Sequence, residues 1–175
     1  ECKYDLGGYW IINGNEKCIV SQEKIAENKV YTFPANKSNS KYSHICEIKS
    51  VSNHGFNTPK NVSVRLTNKS LYGNTIKVNI PHCKIDVPLF ILFRAFGLTN
   101  DKEILEYIFH DLNDNEEMIN LLIPSIQEGS ILHTQDEALE YILNHGLILG
   151  QPKDIKLSKE RKIQLYKEMM MRDVL

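Results

Sequence analysis

Apolar positions recur with a period of two through the first half of the chain and near 3.6 through the second, with the change at Pro81. Two early apolar runs, Tyr9 to Ile12 and Cys18 to Val20, flank Asn13-Gly14. That dipeptide suits a two-residue turn with φ > 0 at both central positions, so the stretch predicts a hairpin with a polar end. Gly7 and Gly8 precede it, where missing side chains let the backbone turn sharply or let something large lie against it. Asn28 to Phe33 predicts a short strand. Tyr42 to Val51 predicts a longer one, with His44, Cys46 and Ile48 on one face and Ile45, Glu47 and Lys49 on the other. Val62, Val64 and Leu66 alternate with Ser63 and Arg65, and Ile76, Val78 and Ile80 with Lys77 and Asn79. Joined by a turn through Gly73, these form a second antiparallel pair, and its outward faces read as basic.

Beyond Pro81 the pattern is helical. Pro88 suits the first turn of a helix, and Leu89 to Phe96 is apolar nearly all round except for Arg94, so that helix is buried and ends at Gly97. Arg94 is expected to pair inside with a carboxylate or backbone carbonyls. Thr99 or Asn100 caps the next helix, whose face is Ile104, Leu105, Ile108 and Leu112. Asn115 to Gln127 predicts a third, with Met118, Leu121, Leu122 and Ile126 as its stripe and a kink or early end at Pro124. Thr134 caps a fourth, with Ala138, Leu139, Ile142 and Leu143 inward until Gly146 closes it, and Gly150 to Lys156 reads as a linker. Ser158 opens a last helix whose Ile163, Leu165, Tyr166, Met169, Met170 and Val174 have no following element to cover them. With the abrupt start at Glu1, this points to a piece of a larger protein. The fold class is α+β: an antiparallel β-rich N-terminal half followed by a helical C-terminal half.

Composition changes this picture in two places. Hydrophobic residues at 42% and charged residues at 25% are ordinary for a globular chain of 175 residues, and no apolar run approaches the ~20 residues of a spanning helix. No membrane association is expected, and the start lacks the regions of a signal peptide. The net charge of −1 conceals a division. Residues 1–100 hold 13 Lys and Arg against 7 Asp and Glu, and residues 101–175 hold 8 against 15. The strand-rich half therefore attracts phosphates, and the helical half repels them or meets a basic partner. Cys2, Cys18, Cys46 and Cys83 show no CxxC pairing and read as reduced, mostly buried thiols.

No catalytic constellation emerges. The six histidines stand in no HExxH or HxE...CxxC pattern, and no GxxxxGK[ST] or GxGxxG occurs. His110-Asp111 reads as an exposed helical pair; a hydrolase built on it would be active as an isolated piece. Asp111, Asp114, Glu116 and Glu117 lack the spacing of a calcium loop and read as helix ends and caps.

ECKYDLGGYWIINGNEKCIVSQEK resembles, almost position by position, the junction of protrusion and lobe in the second-largest subunit of multisubunit RNA polymerases, closest to the eukaryotic, archaeal and large-DNA-virus branch. DVPLFILFRAFGLTNDKEILEYIFHDLND, Asp86 to Asp114, resembles the helical part of the lobe in the same order, and LSKERKIQLYKEMMMRDVL the return into the protrusion. The resemblance implies a protrusion-side hairpin over 1–24, a lobe over 25–150 (strand-rich to 85, helical from 86) and a return helix over 151–175. It implies a catalytically silent segment of a DNA-directed RNA polymerase, a nucleotidyltransferase whose catalytic Mg2+ is held by another subunit, so no cofactor is expected here. The implied partners are other polymerase subunits, chiefly the largest, DNA and the RNA–DNA hybrid in the cleft, and initiation factors on the lobe surface. The implied location is intracellular: nuclear in a eukaryotic cell, a cytoplasmic factory or virion for a virus.

Lys17, Gln22 and Lys24 match positions where the family pattern faces the cleft, and are expected to contact phosphate or nucleic acid. Where relatives often carry Arg-Ser and then Gly, this chain has Lys24-Ile25 and Glu27, which forfeits bidentate phosphate recognition and adds a repelling charge. The alternative is a free-standing protein-interaction module whose acidic helical half docks a basic partner.

Overall fold

The computed structural model describes residues 2–36, 41–52, 58–68, 70–145 and 158–173. Two strands, β1 (Tyr9–Ile12) and β2 (Asn15–Cys18), form a separate hairpin sheet. Five more, β3 (Val30–Pro34), β4 (Tyr42–Ser50), β5 (Lys60–Thr67), β6 (Ile76–Asn79) and β7 (Val87–Pro88), pair antiparallel in sequence order. The helices follow: α1 (Leu89–Ala95), α2 (Asp101–Phe109), α3 (Glu116–Gly129), α4 (Gln135–His145) and α5 (Lys159–Asp173). The fold is α+β, with its strands before its helices.

Register decides what the large sheet buries. Val64 pairs with Val78 and Val78 with Val87, so these stand on one face, and Ser63, Arg65, Lys77 and Asn79 alternate onto the other. The valine face packs with Ile91, Leu92 and Ala95 of α1, Ala138, Leu139 and Ile142 of α4, and Tyr166 and Met170 of α5. α1 is the centre of this layer. It ends in a Schellman arrangement, Gly97 N–H donating to Arg94 O at 2.9 Å and Leu98 N–H to Phe93 O at 3.1 Å, with Gly97 at φ +106. Asn100 caps α2 by accepting from Lys102 N–H at 3.1 Å. Thr134 and Glu137 form a reciprocal box at the start of α4, where Glu137 Oε2 accepts from the His133 and Thr134 amides, both at 3.2 Å.

Arg94 is 2% exposed and is held as expected: its guanidinium donates to the carbonyls of Gly129 and Leu132 and, at 2.5 Å, to Asp101. One buried cation thus ties α1 to the end of α3 and the start of α2.

Four expectations need correction. The buried stripe of α3 is Leu122, Ser125 and Gly129, whereas Met118 is 56% and Leu121 71% exposed. The reason is close approach to α1: a Cβ on Gly129 would lie 2.5 Å from Phe90 Cβ, so small residues take the contact face. Of the kink or early end expected at Pro124, the early end does not occur, since α3 continues to Gly129. The last helix is not left uncovered, because Tyr166 and Met170, 1% and 3% exposed, pack into the chain's own core. Finally, Cys2 and Cys18 are exposed, and Cys46 and Cys83 only partly buried. Gly146, Val174 and the linker expected over Gly150 to Lys156 lie outside the described residues.

Candidate nucleic-acid interface

The hairpin is set by its turn. Asn13 at φ 51 and Gly14 at φ 74 adopt the left-handed pair that matches strand twist, so Ile12 meets Asn15 and Lys17 stands directly across from Trp10. The second strand accordingly begins at Asn15, three residues before the apolar run that first marked it. At the base, Asp5 accepts from Gly7 N–H at 3.1 Å and from the Tyr9 hydroxyl at 2.6 Å. The Tyr9 hydrogen bond, then that of Gly7, lowers the Asp5 pKa. Every described residue from Cys2 to Ala26 is exposed.

Lys17, Gln22 and Lys24 therefore all lie at the surface. Lys17 sits on the hairpin, and Gln22 and Lys24 on the irregular segment that leaves it. Lys24 and Glu27 form an ion pair at 3.1 Å, and Lys49 Nζ reaches the same Glu27 oxygen at 3.8 Å. Glu27 thus bridges two lysines.

Asn28 sets this up. At φ 58 it exchanges side-chain hydrogen bonds with the Val51 backbone, at 2.7 and 2.9 Å, while its own N–H donates to Lys49 O at 2.9 Å. That hooks the junction onto the end of β4 and brings Glu27 beside Lys49. Lys49 is the residue that reading along the sequence missed. Its signal lay in the antiparallel register, which carries the chain back past β4 one residue before β3 begins.

The basic faces expected on β5 and β6 are compensated. Arg65 pairs with Asp86 at 3.1 Å and Lys77 with Glu128 at 3.0 Å. Asp86 also accepts from Asn79 at 3.0 Å and from the Tyr42 hydroxyl. Burial alone would raise its pKa, but the Tyr42 and Asn79 hydrogen bonds with the Arg65 and Lys41 charges outweigh it and hold the carboxyl below its ordinary value. Pairing thus offsets Arg65 and Lys77, while Lys29, Lys41, Lys49 and Lys84 stay exposed around the large sheet and Lys17 and Lys24 on the hairpin and its junction.

His110 is exposed, and Asp111 accepts from Asn113 N–H at 2.9 Å. Among the described residues no three His, Cys, Asp or Glu side chains converge as a metal site, and no helix is long and apolar enough to cross a membrane.

Sheet, helical layer and projecting hairpin together define a structural α+β module with opposite charge in its two halves. A family profile described as RNA polymerase Rpb2, domain 2, matches residues 26–174. The chain belongs to that family, and corresponds to a segment of the second-largest subunit of DNA-directed RNA polymerase. It is 40% identical over 175 residues to DNA-directed RNA polymerase II subunit RPB2 of Encephalitozoon cuniculi, covering 100% of this chain. It is 37% identical to DNA-directed RNA polymerase II subunit 2 of Arabidopsis thaliana over 97% of this chain, and 32% identical to DNA-directed RNA polymerase subunit Rpo2 of Saccharolobus solfataricus over 91%. The chain spans 14% of the first two relatives and 13% of the third.

Proposed function

We propose that this segment is a non-catalytic wall of the main cleft of a DNA-directed RNA polymerase working inside the cell. The hairpin and its junction face nucleic acid there, while the helical half receives protein factors. Nucleotidyl transfer, with its Mg2+, belongs to other parts of the assembly, chiefly the largest subunit. The residues of this segment supply position and charge.

The observation that carries this reading is the placement of Lys17, Gln22 and Lys24 on an exposed arm of a chain in the Rpb2 domain 2 family. A lysine at the surface acts on a phosphate as a point charge without a fixed partner geometry, so it follows the backbone of a duplex or hybrid irrespective of sequence. Glu27 tempers two of the nearby cations, which leaves Lys17 as the more available contact.

The test is binding of duplex DNA and of an RNA–DNA hybrid to the assembled polymerase across a salt series. Lys17→Glu with Lys24→Glu is expected to flatten the plot of log affinity against log salt by about one unit for each lysine–phosphate pairing removed. An unchanged slope in the double variant would refute the cleft assignment of the arm.

A further inference from the structure

Hydrogen bonds fasten the base of the turn between β5 and β6. Thr67 and Thr75, 3% and 0% exposed, face each other: the Thr67 hydroxyl donates to Thr75 O at 2.9 Å and accepts from Thr75 N–H at 2.9 Å, and Thr67 N–H donates to Thr75 O, also at 2.9 Å. Further out, Ser70 and Gly73 exchange both backbone hydrogen bonds at 3.2 Å. The turn is also fastened sideways to α3. Ile76 N–H donates to the buried Ser125 hydroxyl at 2.9 Å, and Gly73 lies so near Pro124 that a Cβ there would be 3.6 Å from the proline ring.

At its tip this turn presents apolar side chains to solvent. Leu71 is 100% and Tyr72 41% exposed at the tip. On the adjoining helix Leu121, 71% exposed, lies one turn before Pro124, and Met118, 56% exposed, one turn earlier again. The Gly73–Pro124 approach and the Ile76–Ser125 hydrogen bond set this turn beside the helix that carries Leu121 and Met118. Exposed apolar side chains on neighbouring elements are characteristic of interaction sites, and a turn fastened at its base costs less entropy to bind.

On the α3 side the surroundings are acidic. Between Lys102 and Lys153 there is no Lys or Arg, while ten Asp and Glu fall in that interval. Of these, Asp114, Glu116 and Glu117 are exposed at the start of α3, with Glu117 one turn from Leu121. Phosphate is repelled here, and a cationic protein segment is attracted.

We propose that the step formed by Leu71, Tyr72, Leu121 and Met118 docks a protein segment whose bulky apolar side chains are flanked by lysine or arginine. This deepens the factor-docking half of the function proposed above and rests on it. The apolar side chains supply affinity, and the carboxylates select the partner's sign and orient its approach.

The test uses the assembled polymerase carrying the full-length subunit. The probe is a fluorescent amphipathic peptide with leucines on one face and lysines on the other, compared with its counterpart bearing glutamates for lysines, each titrated by anisotropy. Leu71→Asp and Leu121→Asp alter exposed residues, so the fold is retained, and each is expected to weaken the Leu/Lys peptide by about tenfold or more. Glu116→Lys with Glu117→Lys is expected to weaken that peptide and strengthen the Leu/Glu one. Peptide binding indifferent to both leucine changes overturns the proposal. So does self-association of the polymerase that Leu71→Asp abolishes, since the occupant is then a second copy. Duplex DNA binding is measured on the same variants: its retention while peptide binding disappears supports the docking step, whereas Lys17→Glu and Lys24→Glu test the cleft reading and leave the peptide unaffected.

Discussion

Replacing Arg94 by methionine removes a buried guanidinium from three acceptors while keeping most of the side-chain volume. The carbonyls of Gly129 and Leu132 lose their donor, and Asp101 loses its ion-pair partner. Breaking a buried charge pair from one side costs about 3–5 kcal/mol. The figure belongs at the low end here, because the Asp101 side chain is 37% exposed and rehydrates, whereas the carbonyls that face Arg94 have no such recourse. A loss of about 3 kcal/mol corresponds to a melting temperature lower by roughly 6–12 °C for a chain of this size. Arg94→Lys keeps the charge but replaces the planar fork by a single ammonium, and should lose about half as much. Asp101→Asn keeps an acceptor for Arg94 but leaves its buried charge without a counterion, and should cost about 1–3 kcal/mol. The assay is thermal and urea unfolding followed by far-UV circular dichroism. Trp10, the single tryptophan, sits on the exposed hairpin and would report the arm instead of the core. Arg94→Met within about 0.5 kcal/mol of the parent would show that the three acceptors are satisfied some other way, and would refute the account of Arg94 as the tie between three helices.

Three further outcomes follow from the same geometry. Asp86 has a folded pKa below its ordinary 3.8, so the stability it contributes is complete above that pH and is lost as pH falls through the folded value; Asp86→Asn should flatten the acid limb of a stability–pH curve, at a cost near neutrality of about 2 kcal/mol for leaving Arg65 unpaired. Gly129→Ala should destabilise by about 1–3 kcal/mol, since the added methyl must displace Phe90, which is 0% exposed; a neutral result in urea unfolding would mean that α1 and α3 separate without penalty. Glu27→Gln releases Lys24 and Lys49, and should steepen the salt dependence of DNA binding to the assembled polymerase by about one unit; an unchanged slope would show that neither lysine reaches a phosphate.

The parts of the fold that were legible along the sequence are those fixed by local chemistry. Asn13-Gly14 specifies its turn because few other residues adopt φ > 0 twice in succession, and Asn100, Thr134 and Gly97 mark helix ends because orphan backbone groups need partners. Arg94 was legible because a lone cation in an apolar helix has to be satisfied inside. What stayed hidden depends on elements far apart in the chain. A 3.6-residue period shows that α3 has an apolar stripe, but which stripe is buried depended on how near Phe90 comes to Gly129. The apolar face of α5 looked uncovered only because its cover, α4 and α1, comes earlier in the chain. The same limit applies to charge. Arg65 and Lys77 read as outward cations, and neither Asp86 nor Glu128 is near them in sequence. At the candidate site, the exposure of Lys17, Gln22 and Lys24 agrees with a surface role, while the bridge from Glu27 to Lys49 required the fold.

The order of the large sheet, β3-β4-β5-β6-β7, is also the order of synthesis. Each strand after the first therefore finds its hydrogen-bonding neighbour already emerged from the ribosome, and every pairing joins strands adjacent in sequence. Pairings so local close short loops, which keeps the entropy cost of assembling the sheet low and shortens the interval in which half-formed strands stand open to one another.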